Sequence, residues 1–255
     1  MGNDTLKKKG KVLLEVKKLS VEFNGFKAFT DVNMKIYDGE LRVIIGPNGA
    51  GKTTFMDLVT GKTKPTSGRV IYDGNDITGK DVVEIARKYK LGRKFQSPTV
   101  FDNMTVRENI EIAVQGFNTL ASCLFFKRNK EFVNKVDEIL RKIELFDYAD
   151  FMATDLSHGQ RQWLEIGMVV AQNPKLIILD EPTAGMTADE TYKTGEMIKK
   201  MKGEHTLIVV EHDMDFVRQV AEYVTVLNYG KLLAEGTMEE VQNNEEVIAV
   251  YLKED

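Results

Sequence analysis

Residues 41–54 read LRVIIGPNGAGKTT. An apolar, largely β-branched run ends at Gly46, a glycine-rich turn follows, and a helix-forming segment begins at Lys52. This order restricts the chain more than any other stretch. Continuous apolar runs of this kind suit central parallel strands covered by helices on both faces. The turn matches G-x-x-x-x-G-K-[ST] with Gly46, Gly51, Lys52 and Thr53. Its glycines let backbone N–H groups turn inward around a phosphate, and the following helix adds the positive end of its dipole. Gly46, Pro47, Asn48, Gly49, Ala50, Gly51, Lys52, Thr53 and Thr54 are therefore candidate nucleotide-binding residues. Lys52 supplies a point charge for the β- and γ-phosphates. The Thr53 hydroxyl is a candidate Mg²⁺ ligand. A glycine-rich turn without a ligand is the plain alternative, and the strand–loop–helix context argues against it.

Two further buried runs, KLIILD (175–180) and TLIVVE (206–211), resemble the first. Helical patterns lie between the runs, from Lys52 to Thr60 before Gly61 and from Gln160 to Gln172 before Pro174. Alternation of strands and helices predicts an α/β core with a mostly parallel sheet. VLLEVKKLSVEF, FTDVNMKIYDGE and GRVIYDG (68–74) alternate and carry turn residues, which predicts antiparallel strands beside the nucleotide site. Residues 97–155 have a helical character, with Phe132, Val136, Ile139, Leu140 and Ile143 on one stripe. The expected fold is a P-loop, RecA-like core with an antiparallel β subdomain and an inserted α-helical subdomain. It forms one domain over residues 13–252. Within it, 13–95 hold the β subdomain and the phosphate-loop part of the core. The helical subdomain takes 96–160, the rest of the core 161–237, and a C-terminal tail 238–252.

Composition narrows the function classes. Net charge is -4, with both signs mixed along the chain, which gives no support for a nucleic-acid partner. The single cysteine, Cys123, allows neither a disulfide framework nor a thiol metal site. No apolar run approaches the roughly 18–20 residues needed to span a bilayer. The N-terminal MGNDTLKKKGK lacks the apolar stretch of a secretory signal, and Leu6 breaks the myristoylation pattern. Lys7, Lys8 and Lys9 read as a solvated tail. Work at a membrane would require other chains to hold the protein there.

Three residues after the later strands complete the candidate site. Asp180 closes LIILD on a strand expected to lie next to the phosphate-loop strand, where a carboxylate can hold the Mg²⁺ shell. Glu181, one residue on, is placed to polarise or deprotonate an attacking water. His212 follows the third run, at the sheet edge where ligands bind in open α/β folds, and could donate to a γ-phosphate oxygen. Structural carboxylates and a structural histidine are the plain alternatives. His205, in a turn before the same strand, has no comparable claim.

The ordered set GPNGAGKT, Gln96, LSHGQ (156–160), LIILDE and His212 resembles the ATP-binding cassette family, the ATPase subunits of ABC transporters, from about Leu13 to Leu252. The resemblance implies an ABC ATPase fold, ATP and Mg²⁺ as cofactors, and catalytic roles for Glu181, His212 and Gln96. It makes Gln96 a sensor of Mg²⁺ and the attacking water that also links core to helical subdomain. It makes Phe23 the aromatic that stacks on adenine, with a core phenylalanine as the alternative. It identifies LSHGQ as the family signature, usually LSGGQ. Two cassettes then pair head to tail, and Ser157, Gly159 and Gln160 of one close over the ATP held by the other. Two departures stand out. His158 replaces a glycine and, if protonated, would add positive charge near the partner's phosphates. AGMT (184–187) replaces SALD, so Thr187 supplies no acid across the dimer.

The wording of residues 92–109, 156–168 and 181–187 is similar to one branch, which groups importer ATPases for urea and for branched-chain amino acids. Urea is the expected solute, and branched-chain amino acids are the alternative. The implied partners are a second ATPase subunit, two transmembrane permease subunits and, indirectly, a solute-binding protein outside the cell. The implied location is peripheral, on the cytoplasmic face of the membrane. LASCLFFKRNK (120–130) is a candidate groove for a membrane-subunit helix, with internal packing as the alternative. A soluble cassette acting on DNA or ribosomes is disfavoured by the single cassette without a long heptad array. A simple P-loop kinase or GTPase is disfavoured by LSHGQ and by the Gln96–His212 set.

Overall fold

The computed structural model describes residues 10–94, 100–116 and 128–251. Gln96, Cys123, Lys7, Lys8, Lys9 and most of the 120–130 stretch lie outside them.

The N-terminal strands form a sheet of order β2-β1-β4-β5, from β1 (Val12–Phe23), β2 (Phe26–Tyr37), β4 (Ser67–Tyr72) and β5 (Asn75–Asp76). All its pairings are antiparallel. β1 and β2 are joined by Asn24-Gly25, both at positive φ, as a two-residue hairpin turn requires.

The second sheet has order β10-β9-β3-β8-β7-β6. Its strands are β3 (Leu41–Ile45), β6 (Leu91–Lys94), β7 (Leu176–Asp180), β8 (Thr206–Val210), β9 (Tyr223–Asn228) and β10 (Lys231–Gly236). Every neighbour is parallel except β10, which runs antiparallel to β9. The strand order departs from the one expected from the sequence. β8 lies between β3 and β7, so the strand ending at Asp180 is not adjacent to the phosphate-loop strand. Apolar runs mark strands as central but carry no information on their order, which the crossover connections decide. In addition, β6 and β9 join the parallel set. β6 reads LGRK and looks polar, yet Arg93 and Lys94 are buried because each has an acidic partner.

The two faces of β3 show how the layers divide. Leu41, Val43 and Ile45 pack into a core with the helices of the later chain. Ile44 packs into a second core with the antiparallel sheet and α1 (Lys52–Val59). Arg42, on this otherwise apolar strand, is only 3% exposed. It bonds Glu40 and Glu235 at 2.6 Å each and Thr225 at 2.7 Å. Its guanidinium lies 4.2 Å from the Tyr223 ring centre. A buried charge persists only when paired in this way.

On the helical side are α3 (Val106–Gln115), α4 (Lys130–Lys142) and α5 (His158–Ala171); α2 (Val82–Tyr89) lies before β6. Val136, Ile139, Leu140 and Ile143 are buried as the stripe predicts, and Phe132 is partly buried against them. The expected subdomain boundary at residue 160 falls inside α5. That helix packs on α3 and α4 and also on β6 and β7, so it belongs to both parts. A Cβ on Gly167 would come within 2.5 Å of Ile143, and glycine permits this close approach. The chain continues through α6 (Ala188–Met201), α7 (Met214–Val220), α8 (Met238–Gln242) and α9 (Glu245–Tyr251).

Candidate active site

The phosphate loop leaves β3 at Gly46 and enters α1 at Lys52. Gly46, Gly49 and Gly51 have φ of 155°, 78° and 99°, a region that L side chains rarely adopt. At Gly46 a Cβ would also lie 2.2 Å from the Leu227 carbonyl oxygen, so the loop seats directly on β9. The Lys52 ammonium folds over the loop and donates to the carbonyls of Gly46 and Pro47. The first turn of α1 holds no acid of its own to offset its positive end. The Thr53 side is exposed and Ala50 is buried.

Parallel register brings the other candidates to the same sheet edge. Ile44, Val210 and Asp180 are neighbours across β3, β8 and β7. Glu181 and His212, just beyond these strand ends, therefore sit beside the phosphate loop. His212 Nδ1 is 3.6 Å from Glu181 Oε1. Glu181 has φ of 45°, a left-handed conformation that costs a non-glycine residue about 1 kcal/mol or more. Its N–H donates to the Val210 carbonyl at 2.9 Å and its carbonyl accepts from Ala184 N–H at 3.3 Å. These bonds hold the turn that points its carboxylate out of the sheet.

Asp180 is buried beside Arg93 Nη2 at 3.3 Å, and Arg93 Nη1 also reaches Asp57 on α1 at 2.6 Å. Burial holds the Asp180 carboxyl above its ordinary range, and the Arg93 charge opposes that shift. Among the described residues no group of three or more His, Cys, Asp or Glu could hold a metal on its own. The donor set of Thr53 and Asp180 suits Mg²⁺, which binds through one or two protein oxygens plus phosphate and water. Phe23 is 47% exposed at the end of β1, so the core alternative does not hold for it.

The signature turn is built around two capping boxes. Ser157 caps α5 with Gln160 as its partner, and Thr187 caps α6 with Glu190 as its partner. Thr187, the residue without the usual acid, thus starts a helix. Ser157 Oγ donates to Glu190 Oε1 at 3.0 Å. His158 Nε2 is 3.0 Å from the Ala184 carbonyl oxygen. A Cβ on Gly159 would meet the Glu190 carboxyl carbon at 2.5 Å. The signature turn is therefore clasped to residues 184–190 of its own chain. Bonds from Thr187 N–H, the Thr187 hydroxyl and Ser157 hold the Glu190 carboxyl below its usual range.

Four groups escaped the sequence reading. Arg93 and Lys94 directly precede Phe95-Gln96, and Lys94 pairs with Glu165 of α5 at 3.3 Å with both side chains buried. Glu190 meets the signature. Glu211, beside His212 in VVEHD, is buried. Adjacent cations before Gln96 and an acid before His212 were visible signals, but burial gives them their meaning.

Residues 29–184 match the ABC transporter family model. The chain belongs to the ABC transporter family. It is an ATPase cassette and binds ATP. Residues 231–252 also match the model described as branched-chain amino acid ATP-binding cassette transporter. The cassette is 36% identical to the high-affinity branched-chain amino acid transport ATP-binding protein BraF of Pseudomonas aeruginosa, over 95% of this chain and 98% of that protein. It is 34% identical to LivG of Escherichia coli, described likewise, with the same two coverages. Among solved structures it resembles the ADP conformation of MJ1267, an ATP-binding cassette of an ABC transporter. There the TM-score is 0.82 at 32% identity, covering 94% of this chain and 98% of that one. The dimeric bacterial cassette MJ0796 matches with a TM-score of 0.75 at 27% identity, covering 89% and 99%.

Proposed function

We propose that this cassette is the ATP-hydrolysing subunit of an importer for branched-chain amino acids. The observation that carries the reading is the single sheet edge that gathers the phosphate loop, Asp180, Glu181 and His212. The solute assignment rests on the reported relatives, whose descriptions name branched-chain amino acid transport. They favour the amino acid over the urea expected from sequence. Urea stays as the second reading because of the wording of residues 92–109, 156–168 and 181–187.

In this reading the backbone of Gly46–Thr54 and the Lys52 ammonium hold the phosphates, and Phe23 stacks on adenine. Thr53, Asp180 and Gln96 would hold Mg²⁺, which would neutralise charge on the β- and γ-phosphates. Glu181 takes the proton of the attacking water, and His212 donates to the γ-phosphate. Ser157, Gly159 and Gln160 serve the nucleotide of a second cassette, so Ser157 must exchange Glu190 for a phosphate oxygen when the pair closes. The remaining partners are two transmembrane subunits and, indirectly, a solute-binding protein. Among the described residues no helix is long and apolar enough to cross a membrane; in this reading those partners hold the cassette at the cytoplasmic face.

The deciding experiment is ATP turnover by the transporter reconstituted in vesicles with its solute-binding protein. Stimulation by leucine, isoleucine or valine is expected. Stimulation by urea alone would move the assignment to urea, and no turnover with any nucleotide would remove the engine.

A further inference from the structure

Glu211 has a carboxylate that the proposed chemistry does not use. It is 1% exposed, and a carboxylate this deeply buried is costly unless hydrogen bonds and charge compensate it. Its compensation comes from two loops. Oε1 accepts from the Thr183 N–H at 3.1 Å and from the Thr183 hydroxyl at 2.5 Å. Oε2 accepts from the His212 N–H at 3.0 Å. His212 Nδ1 also lies 3.8 Å from Oε2. The backbone N–H of Glu211 also reaches the Ile44 carbonyl at 3.3 Å, which continues the ladder towards the phosphate-loop strand.

We propose that Glu211 is a positioning residue that ties the turn after β7 to the turn after β8 and so sets the distance between Glu181 and His212. This inference rests on the roles proposed above for those two residues. Thr183 lies two residues past Glu181, on the turn that forces Glu181 into its left-handed conformation. His212 is the residue next to Glu211. One carboxylate thereby clamps both sides of the gap in which an attacking water and a γ-phosphate would meet. Backbone pairing of β8 could be completed by any residue at this position. Accepting from both loops at once needs two oxygens, and a carboxylate supplies them.

The test uses the full-length protein in its assembled complex. Glu211→Gln keeps the size but has one acceptor. Serving Thr183 turns its amide NH₂ towards the His212 N–H, so the two loops cannot both be held. A displacement of about 1 Å at such a site costs on the order of 100-fold in rate. The expected result is a loss of that order in kcat, with the KM for ATP changed less than about twofold, because the phosphate loop is untouched. Thr183→Val and Thr183→Ser form the second pair. The serine variant keeps both Thr183 bonds and should hold kcat near the parent, whereas valine keeps only the backbone bond and should lower it. They decide the matter if Glu211→Gln does not fold. Parental kcat in Glu211→Gln, a loss borne by KM instead, or equal rates in the two Thr183 variants would overturn the proposal. Glu181→Gln and His212→Ala run alongside. If both are inactive while Glu211→Gln is normal, Glu211 alone is misassigned. If either turns over ATP like the parent, the proposed site itself fails and this inference with it.

Discussion

His158 Nε2 lies 3.0 Å from the carbonyl oxygen of Ala184, which joins the first turn of α5 to the segment ahead of α6. Imidazole donates this bond when neutral, so no positive charge is required. His158→Gly should lower unfolding free energy by about 1 kcal/mol, as loss of one hydrogen bond does, in a urea titration. The ATPase pH profiles of variant and parent should run parallel from about pH 6 to about pH 8. Divergence there would support the protonated role at the partner's phosphates.

Ser157→Ala should act on the partner's nucleotide rather than its own. In the pair with its partner cassette, Ser157→Ala on this chain and alanine at the phosphate-loop lysine of the partner put both lesions on one composite site. The second site then stays intact and turnover persists. Placing Ser157→Ala and Lys52→Ala together on this chain damages both sites, and turnover should drop to background. Equal rates from the two arrangements would contradict a shared site.

Arg93→Met strips Asp180 of its buried counter-charge, and losing one partner of a buried pair costs about 3 kcal/mol or more. Burial already raises the Asp180 carboxyl, with Arg93 opposing it, so the variant raises it further. An acid whose folded pKa is raised contributes stability below its unfolded value and loses it as pH rises. The penalty should therefore be larger near about pH 7 than near about pH 4. Denaturant unfolding at both values checks the sign.

Lys94 and Glu165 form a pair buried between β6 and α5. Glu165→Leu alone leaves a buried ammonium and should cost about 3 kcal/mol or more, whereas Lys94→Met with Glu165→Leu should return to within about 1 kcal/mol of the parent. A double-mutant cycle by chemical unfolding reads the difference. Simple addition of the two single losses would show that the charges do not depend on each other.

Gly46→Ala places a methyl against the Leu227 carbonyl at 2.2 Å. ATP binding, read by nucleotide-dependent thermal protection, should be lost, while Gly49→Ala, which meets nothing within 4 Å, should act only through its backbone angle and retain more.

Much of this site could be read in the linear chain because its determinants are local. The glycines of 46–51 turn the loop, the apolar runs ending at Ile45, Asp180 and Val210 make buried strands, and Ser157 with Gln160 announces a helix start. Each depends on backbone geometry within a few residues. Arg42, Arg93, Lys94 and Glu211 could not be read this way. In sequence they look like surface charges or strand punctuation, and their burial depends on partners as distant as Glu235 for Arg42 and Glu165 for Lys94. The order of the strands was equally hidden, because β8 enters between β3 and β7 through crossovers that no apolar run encodes. Glu190 over the signature turn is a contact between two helix starts that only packing brings together. The identity of the chemistry is thus written in short-range pattern. The spacing of the groups that would perform it, and the counter-charges that hold them there, arise only when distant segments exclude water from one another.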